Sequence, residues 1–216
     1  QYVATNQPSN MSAFTETAPP IPATMKACEY SATSPSGLAL IDAKPTPTIA
    51  YPPGYLTPGN LICKVHAFGV NPVDAKYVIG DKLPETWMDW CAKFMTGHTP
   101  GFDFSGTVVA VPPGNTDYKI GDEVFGLAAN PTDIFKTYLK GSFAEYVAAP
   151  LNQISLKPKS LSFAEAAALP LVGTTAVQAF WEHGLKPGQK VLVVGASGGV
   201  GHIAVQVASL QGAEVI

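Results

Sequence analysis

Arginine is absent from this 216-residue chain; all thirteen basic residues are lysines. Arginine is the usual bidentate partner of phosphate, so a phosphate group bound here has to be held by backbone amides or by lysine. Charge is scarce too, at 13% of residues, and sums to −3 at pH 7. That balance offers no electrostatic footprint for nucleic acid or for an anionic membrane. Only three cysteines occur, Cys28, Cys63 and Cys91, with no C-x-x-C pair among them. An odd, widely spaced set argues against a disulfide framework and a cysteine-rich zinc site, and reads as reduced thiols in an intracellular, cytoplasmic protein. The stretch Val191–Leu210 carries no acidic residue and no lysine. Four glycines and His202 inside it argue against a membrane span.

Residues 1–24 lack an apolar core segment, so neither a secretory signal nor a transit peptide is supported. Their Ser, Thr, Pro, Asn and Gln content predicts a disordered lead-in. The first residue is not Met, which reads as an incomplete N-terminus.

Ordered sequence is expected from Met25 onward, and two segments of different character follow. Residues 25–155 read as short strands separated by turns. Leu61–Phe68 alternates like a half-buried strand, and Gly106–Val111 is a compact apolar strand closed by Pro112-Pro113-Gly114-Asn115. Lys119–Gly126 is a turn feeding a strand, and Gly141–Ala148 adds another. The spacing predicts a small barrel-like β domain. Between them, 84–97 reads as a loop or short helix. Its Trp87, Trp90 and Phe94 fit either ordinary packing or a pocket lining.

Residues 156–216 read as α/β. Ser162 and Glu165 have capping-box spacing ahead of an alanine-rich helix. Pro170 interrupts that helix, Leu171–His183 resumes it, and Gly184 stops it. An apolar strand, Lys190–Val194, then leads into Gly195-Ala196-Ser197-Gly198-Gly199-Val200-Gly201, an amphipathic helix and Gly212. Strand, glycine turn and helix in that order are the opening of a dinucleotide-binding βαβ unit. Glycine lets the backbone approach a pyrophosphate, and the helix offers free N–H groups at its positive end. No Lys-Ser/Thr pair follows the glycines, which excludes a triphosphate P-loop.

Six motifs run in a fixed order over about residues 26–216. They are Gly69-Val-Asn71-Pro-Val-Asp74-Ala-Lys76, Pro100-Gly101-Phe102-Asp103-Phe-Ser-Gly106, Lys119–Gly126, Gly141–Tyr146, Ala166–Pro170 and Lys186–Gly201. In this order and spacing the chain resembles the medium-chain dehydrogenase/reductase superfamily, in its zinc-free quinone oxidoreductase-like (zeta-crystallin-like) branch. The resemblance implies a GroES-like β-barrel domain followed by a Rossmann domain that binds NADPH, with NADH as the alternative. It implies reduction of a small quinone or α,β-unsaturated carbonyl by hydride from the nicotinamide. A trans-acting enoyl reductase for polyketide or fatty-acyl thioesters and a non-enzymatic nucleotide-binding protein are the alternative readings. By the same resemblance Asn71 hydrogen-bonds near the nicotinamide ribose or the substrate, and Asp74 braces its turn. Lys76 is either a donor toward a developing enolate or a solvated surface lysine. Thr175, with Thr174 as its rival, matches a position beside the nicotinamide, and helix packing is the ordinary alternative. The family's usual dimer contacts imply a homodimer for the full-length protein.

Zinc-dependent relatives carry Gly-His-Glu where this chain has Gly101-Phe102-Asp103, and phenylalanine cannot ligate a metal. His66 and His98 are expected to be packed or hydrogen-bonded rather than metal ligands. No zinc is expected. The residue that selects NAD or NADP lies ~20 positions past the first glycine, near or beyond position 215. The chain is therefore expected to be C-terminally incomplete, with a truncated Rossmann domain, and inactive alone.

Overall fold

The structure is a computed structural model; it describes residues 20–31, 34, 37–47, 60–76, 96–128 and 141–216. Trp87, Trp90, Phe94, Cys91 and residues 1–19 of the expected lead-in lie outside these. So does the side chain of Lys76, although its backbone is described.

Among the described residues the first half is antiparallel sheet. Strands β1 (Thr24–Tyr30) and β2 (Leu38–Pro45) pair as a two-stranded sheet. A five-stranded sheet is built from β3 (Asn60–Phe68), β4 (Asp103–Ala110), β5 (Glu123–Leu127), β6 (Tyr146–Pro150) and β7 (Ile154–Leu156), in the order β6-β3-β4-β5-β7. The two sheets join where the Cys28 N–H donates to the Phe143 carbonyl (2.8 Å) and the Glu145 N–H to the Lys26 carbonyl (3.0 Å). The core is Leu61, Cys63, Phe104, Val108, Val124 and Val147, all essentially removed from water. The alternation read along 61–68 holds only from Lys64 onward, because Leu61, Ile62 and Cys63 are all buried. A strand covered on both faces loses its two-residue period. A short helix, α1 (Pro72–Lys76), follows β3 directly.

The second half begins with α2 (Phe163–Ala167) and α3 (Pro170–Glu182). The expected capping box is present: the Glu165 N–H donates to Ser162 Oγ (3.2 Å), and the Ser162 N–H donates to Glu165 Oε2 (2.8 Å). α2 packs on β3, β4 and β5, so it belongs physically to the barrel side. The Ser105 hydroxyl fixes it there by donating to the Phe163 carbonyl at 2.6 Å. Pro170 occupies the first position of α3, where a missing N–H costs nothing. α3 ends in a Schellman motif, with the Leu185 N–H on the Phe180 carbonyl (3.0 Å) and the Gly184 N–H on the Trp181 carbonyl (3.1 Å).

Strand β8 (Lys190–Val191), helix α4 (Gly199–Leu210) and strand β9 (Glu214–Val215) complete the fold, with β8 and β9 parallel. β8 is Lys190–Val191 rather than the expected Lys190–Val194. The ladder still continues with the Val193 N–H on the Ile216 carbonyl, 3.0 Å. The uncharged run 191–210 is thus divided among strand, turn and helix. No helix of the described residues is long and apolar enough to cross a membrane.

Candidate active site

Three pieces of chain meet at a buried polar junction: the Gly69–Asp74 turn, the start of β4, and the N-terminus of α3. Their closeness shows at Gly69. A Cβ there would lie 2.7 Å from the Ala167 carbonyl oxygen and 3.0 Å from Asp103 Oδ2, so only glycine fits.

Asn71 sits between two carboxylates. Its backbone N–H donates to Asp74 Oδ2 (2.7 Å), and its Nδ2 donates to Asp103 Oδ2 (2.8 Å). An ionised carboxylate only accepts hydrogen bonds, so the amide nitrogen has to face Asp103. Asn71, Asp74 and Asp103 are all buried.

Asp103 is the hub. It is 1% exposed, and its other oxygen, Oδ1, accepts the Leu171 N–H at 2.7 Å. Its carbonyl accepts the Ser142 hydroxyl (2.8 Å) and the Gly69 N–H (3.2 Å). Burial pushes its pKa up to about 6; the bonds from Asn71 and Leu171 oppose that rise, and the Asp74 charge adds to it. Burial likewise raises Asp74, against the Asn71 and Gly101 N–H groups. Among the described residues Asp74 Oδ1 is buried with no hydrogen-bond partner, while the Asp74 carbonyl receives the Tyr30 hydroxyl at 3.2 Å.

The glycine turn lies on the other side of α3. A Cβ on Gly199 would sit 3.7 Å from Val172 Cγ1, beside the residue whose N–H reaches Asp103. Gly195 has φ 77°, and the Gly198 N–H closes the turn on the Gly195 carbonyl at 2.9 Å. Gly201 packs directly against the turn: a Cβ there would be 2.1 Å from the Gly195 oxygen. Gly198 is the N-cap of α4 and offers no side chain, so the first N–H groups of α4 are uncapped. Ala196, Ser197, Gly198, Gly199 and Val200 are exposed. A cradle of backbone donors with no arginine nearby fits a pyrophosphate.

Thr175 is exposed on α3, and its hydroxyl donates to the Leu171 carbonyl at 2.7 Å. Thr174 is exposed as well. The structure therefore brings Asn71 and Asp74 together with Asp103, and links them through α3 to Thr175 and the glycine turn. His66 stacks on Phe163 (4.3 Å) and pairs with Thr107 Oγ1 (3.0 Å). Burial, then the Lys64 charge, lowers its pKa. Phe102 is buried against Leu127, with Val73 and Leu171 packed around the pair. Among the described residues no three His, Cys, Asp or Glu side chains group as a metal site.

Sequence reasoning treated Asp103 only as part of a motif that cannot bind metal. It missed its link to α3. The available signal was an acid in an otherwise apolar strand, together with a helix that begins in proline without a capping side chain.

An antiparallel barrel-like domain packed on the opening of a dinucleotide-type βα unit defines the two-domain fold of the medium-chain dehydrogenases/reductases. Residues 57–159 match the alcohol dehydrogenase GroES-like domain family. A 2-methylene-furan-3-one reductase of Solanum lycopersicum is 35% identical over 202 residues, 91% of this chain and 47% of that protein. The solved quinone oxidoreductase of Coxiella burnetii superposes with a TM-score of 0.70 at 34% identity, covering 88% of this chain and 55% of that one. The quinone oxidoreductase of Thermus thermophilus, solved also with NADPH, gives 0.62 at 30% identity, covering 88% and 52%. These matches support placing the chain in the quinone oxidoreductase-like branch of that superfamily. It spans about half the length of the curated relatives it matches.

Proposed function

We propose that the protein is an NADPH-dependent reductase of small quinones or α,β-unsaturated carbonyls, working without zinc. The carrying observation is the glycine turn with its uncapped helix: Gly201 pressed against Gly195, and open N–H groups at the start of α4. In this reading Gly195–Gly201 hold the pyrophosphate through backbone donors, as a chain without arginine requires. Bound NADPH would supply the hydride. Thr175 lies toward the nicotinamide side, and Asn71 contacts the nicotinamide ribose or the substrate. Lys76 is the candidate proton donor to the developing enolate.

With Phe102 packed into an apolar cluster, carbonyl polarisation falls to hydrogen-bond donors. Conjugated acceptors suit that limit, because hydride goes to an electron-poor carbon and a proton follows. The relatives named for quinones and a methylene-furanone support this substrate class. We place the barrel, residues 25–155, on the substrate side and residues 156–216 on the cofactor side. NADPH oxidation by the full-length protein with naphthoquinone, a small enone and an enoyl thioester tests the reading. Turnover of the first two is expected; enoyl thioester alone would point to the acyl alternative, and binding without turnover to a non-enzymatic role. Near-stoichiometric zinc in the purified protein would overturn the metal-free part.

A further inference from the structure

We propose that Asp103 is a positioning residue that joins Asn71 to the N-terminus of α3, so that the substrate-side turn and the cofactor-side helix are held as one unit. The proposal rests on the function above only where it concerns reaction. The joint itself stands on geometry.

α3 starts at Pro170 with Leu169 at the N-cap, and no side chain of its own caps it. Its first free N–H, on Leu171, is capped from 68 residues away by Asp103 Oδ1. A carboxylate at a helix N-terminus is favoured by the helix dipole as well as by the bond. The second oxygen of the same carboxylate holds Asn71 Nδ2 and so fixes which end of the amide faces away from the joint. One side chain therefore sets both the Asn71 orientation and the start of the helix that carries Thr175 and touches the glycine turn through Val172. Asparagine cannot replace it, because its single oxygen can accept from only one of the two donors.

Few other charges reach this site. Among the described residues, Asp74 in α1 is the titratable group that raises Asp103. Glu165 of α2 turns to Ser162, Glu123 of β5 pairs with Lys157, and the first turn of α3 carries no acid. The Tyr30 hydroxyl reaches the site at the Asp74 carbonyl.

The decisive test needs no variant. In the wild-type chain, followed by NMR from pH 7.5 to 4.5 (about one and a half pH units either side of about 6), the Asn71 carboxamide and the Leu171 amide are expected to shift together with one midpoint near about 6. Separate midpoints, or no shift at either group, overturn the proposal. In Asp103→Asn the common titration should vanish. Leu171 amide exchange at neutral pH should rise by about tenfold or more, with Val65 and Val108 unchanged; a uniform change across all amides would instead indicate a merely structural role and sink the idea. In the full-length protein with NADPH as probe, Asp103→Asn should lower kcat for naphthoquinone about tenfold or more with KM little altered, and Asp103→Glu should recover part of it. Unchanged kcat in Asp103→Asn, with wild type active, overturns the link to reaction. If wild type binds no NADPH, the cofactor reading fails while the shared titration still decides the joint.

Discussion

Asn71 illustrates how a single side chain changes meaning once its neighbours are seen. As sequence it is a polar residue that the resemblance turns toward cofactor or substrate. In the structure its side-chain amide donates to the buried Asp103 while its backbone N–H donates to the buried Asp74. Asn71→Ala would leave Asp103 Oδ2 without its donor, which costs about 1–3 kcal/mol for a buried polar group. A lower thermal midpoint is therefore expected beside any loss of hydride transfer, and an unchanged melt would show that the bond carries no stability. The Asp74 charge acts on Asp103 in the opposite sense to the Asn71 bond. Asp74→Asn should accordingly lower the Asp103 midpoint, as read by carboxyl carbon NMR. An unchanged midpoint would mean that Asp74 is already neutral when Asp103 titrates, and an upward move would refute the repulsion. Cys63 is a plainer case. It is buried, and burial pushes its thiol up to about 12, so it stays protonated and unreactive at neutral pH.

At the level of elements, what the sequence revealed depended on whether the determinants were local. The capping box at Ser162, the stops at Gly184 and Gly212, and the strand–glycine–helix order each need only a few neighbouring residues, and each was legible. Ser162→Ala should cost about 1 kcal/mol, measured as a lower denaturant midpoint. Gly201→Val should separate α4 from its turn, because even a Cβ meets the Gly195 oxygen at 2.1 Å and Ala196 Cα at 2.8 Å. Loss of NADPH binding with the barrel melt retained is the expected result. β2 was not legible: none of its residues is buried, so no alternation is written in it, and its pairing with β1 alone makes it a strand. β7 was missed because it is only three residues long, placed by their register with Val124–Gly126. The Asp103–Leu171 contact left only an indirect trace, an acid in an apolar strand and an uncapped proline-led helix, because its donor is a backbone N–H that side-chain identity does not encode.

For the molecule as a whole, the two halves are unequally protected. The barrel has a continuous core, whereas Val194, Leu210, Trp181 and Leu192 are each 70% exposed or more. The β8–β9 ladder has only two registered pairs. Amides of 190–216 should therefore exchange faster than those of β3, β4 and β5; equal protection would mean that the two halves open only together. Acidity acts on the whole fold through Asp103. Its folded pKa lies above the unfolded value, so the native state takes up its proton first. The stability it contributes is full below about pH 4 and is lost as pH rises through about 6, on the order of 3 kcal/mol in all. Chemical denaturation at pH 4.5 and 7 reads this term, and greater stability at the higher pH would refute it. The ionised, joint-forming state is thus the less stable one. The borrowed helix cap has a separate consequence for exchange of parts between proteins. Residues 156–216 are not a freely portable cassette: grafted onto a barrel with no acid at the position of Asp103, α3 would begin on an orphan N–H, so compatible halves must be inherited as a matched pair.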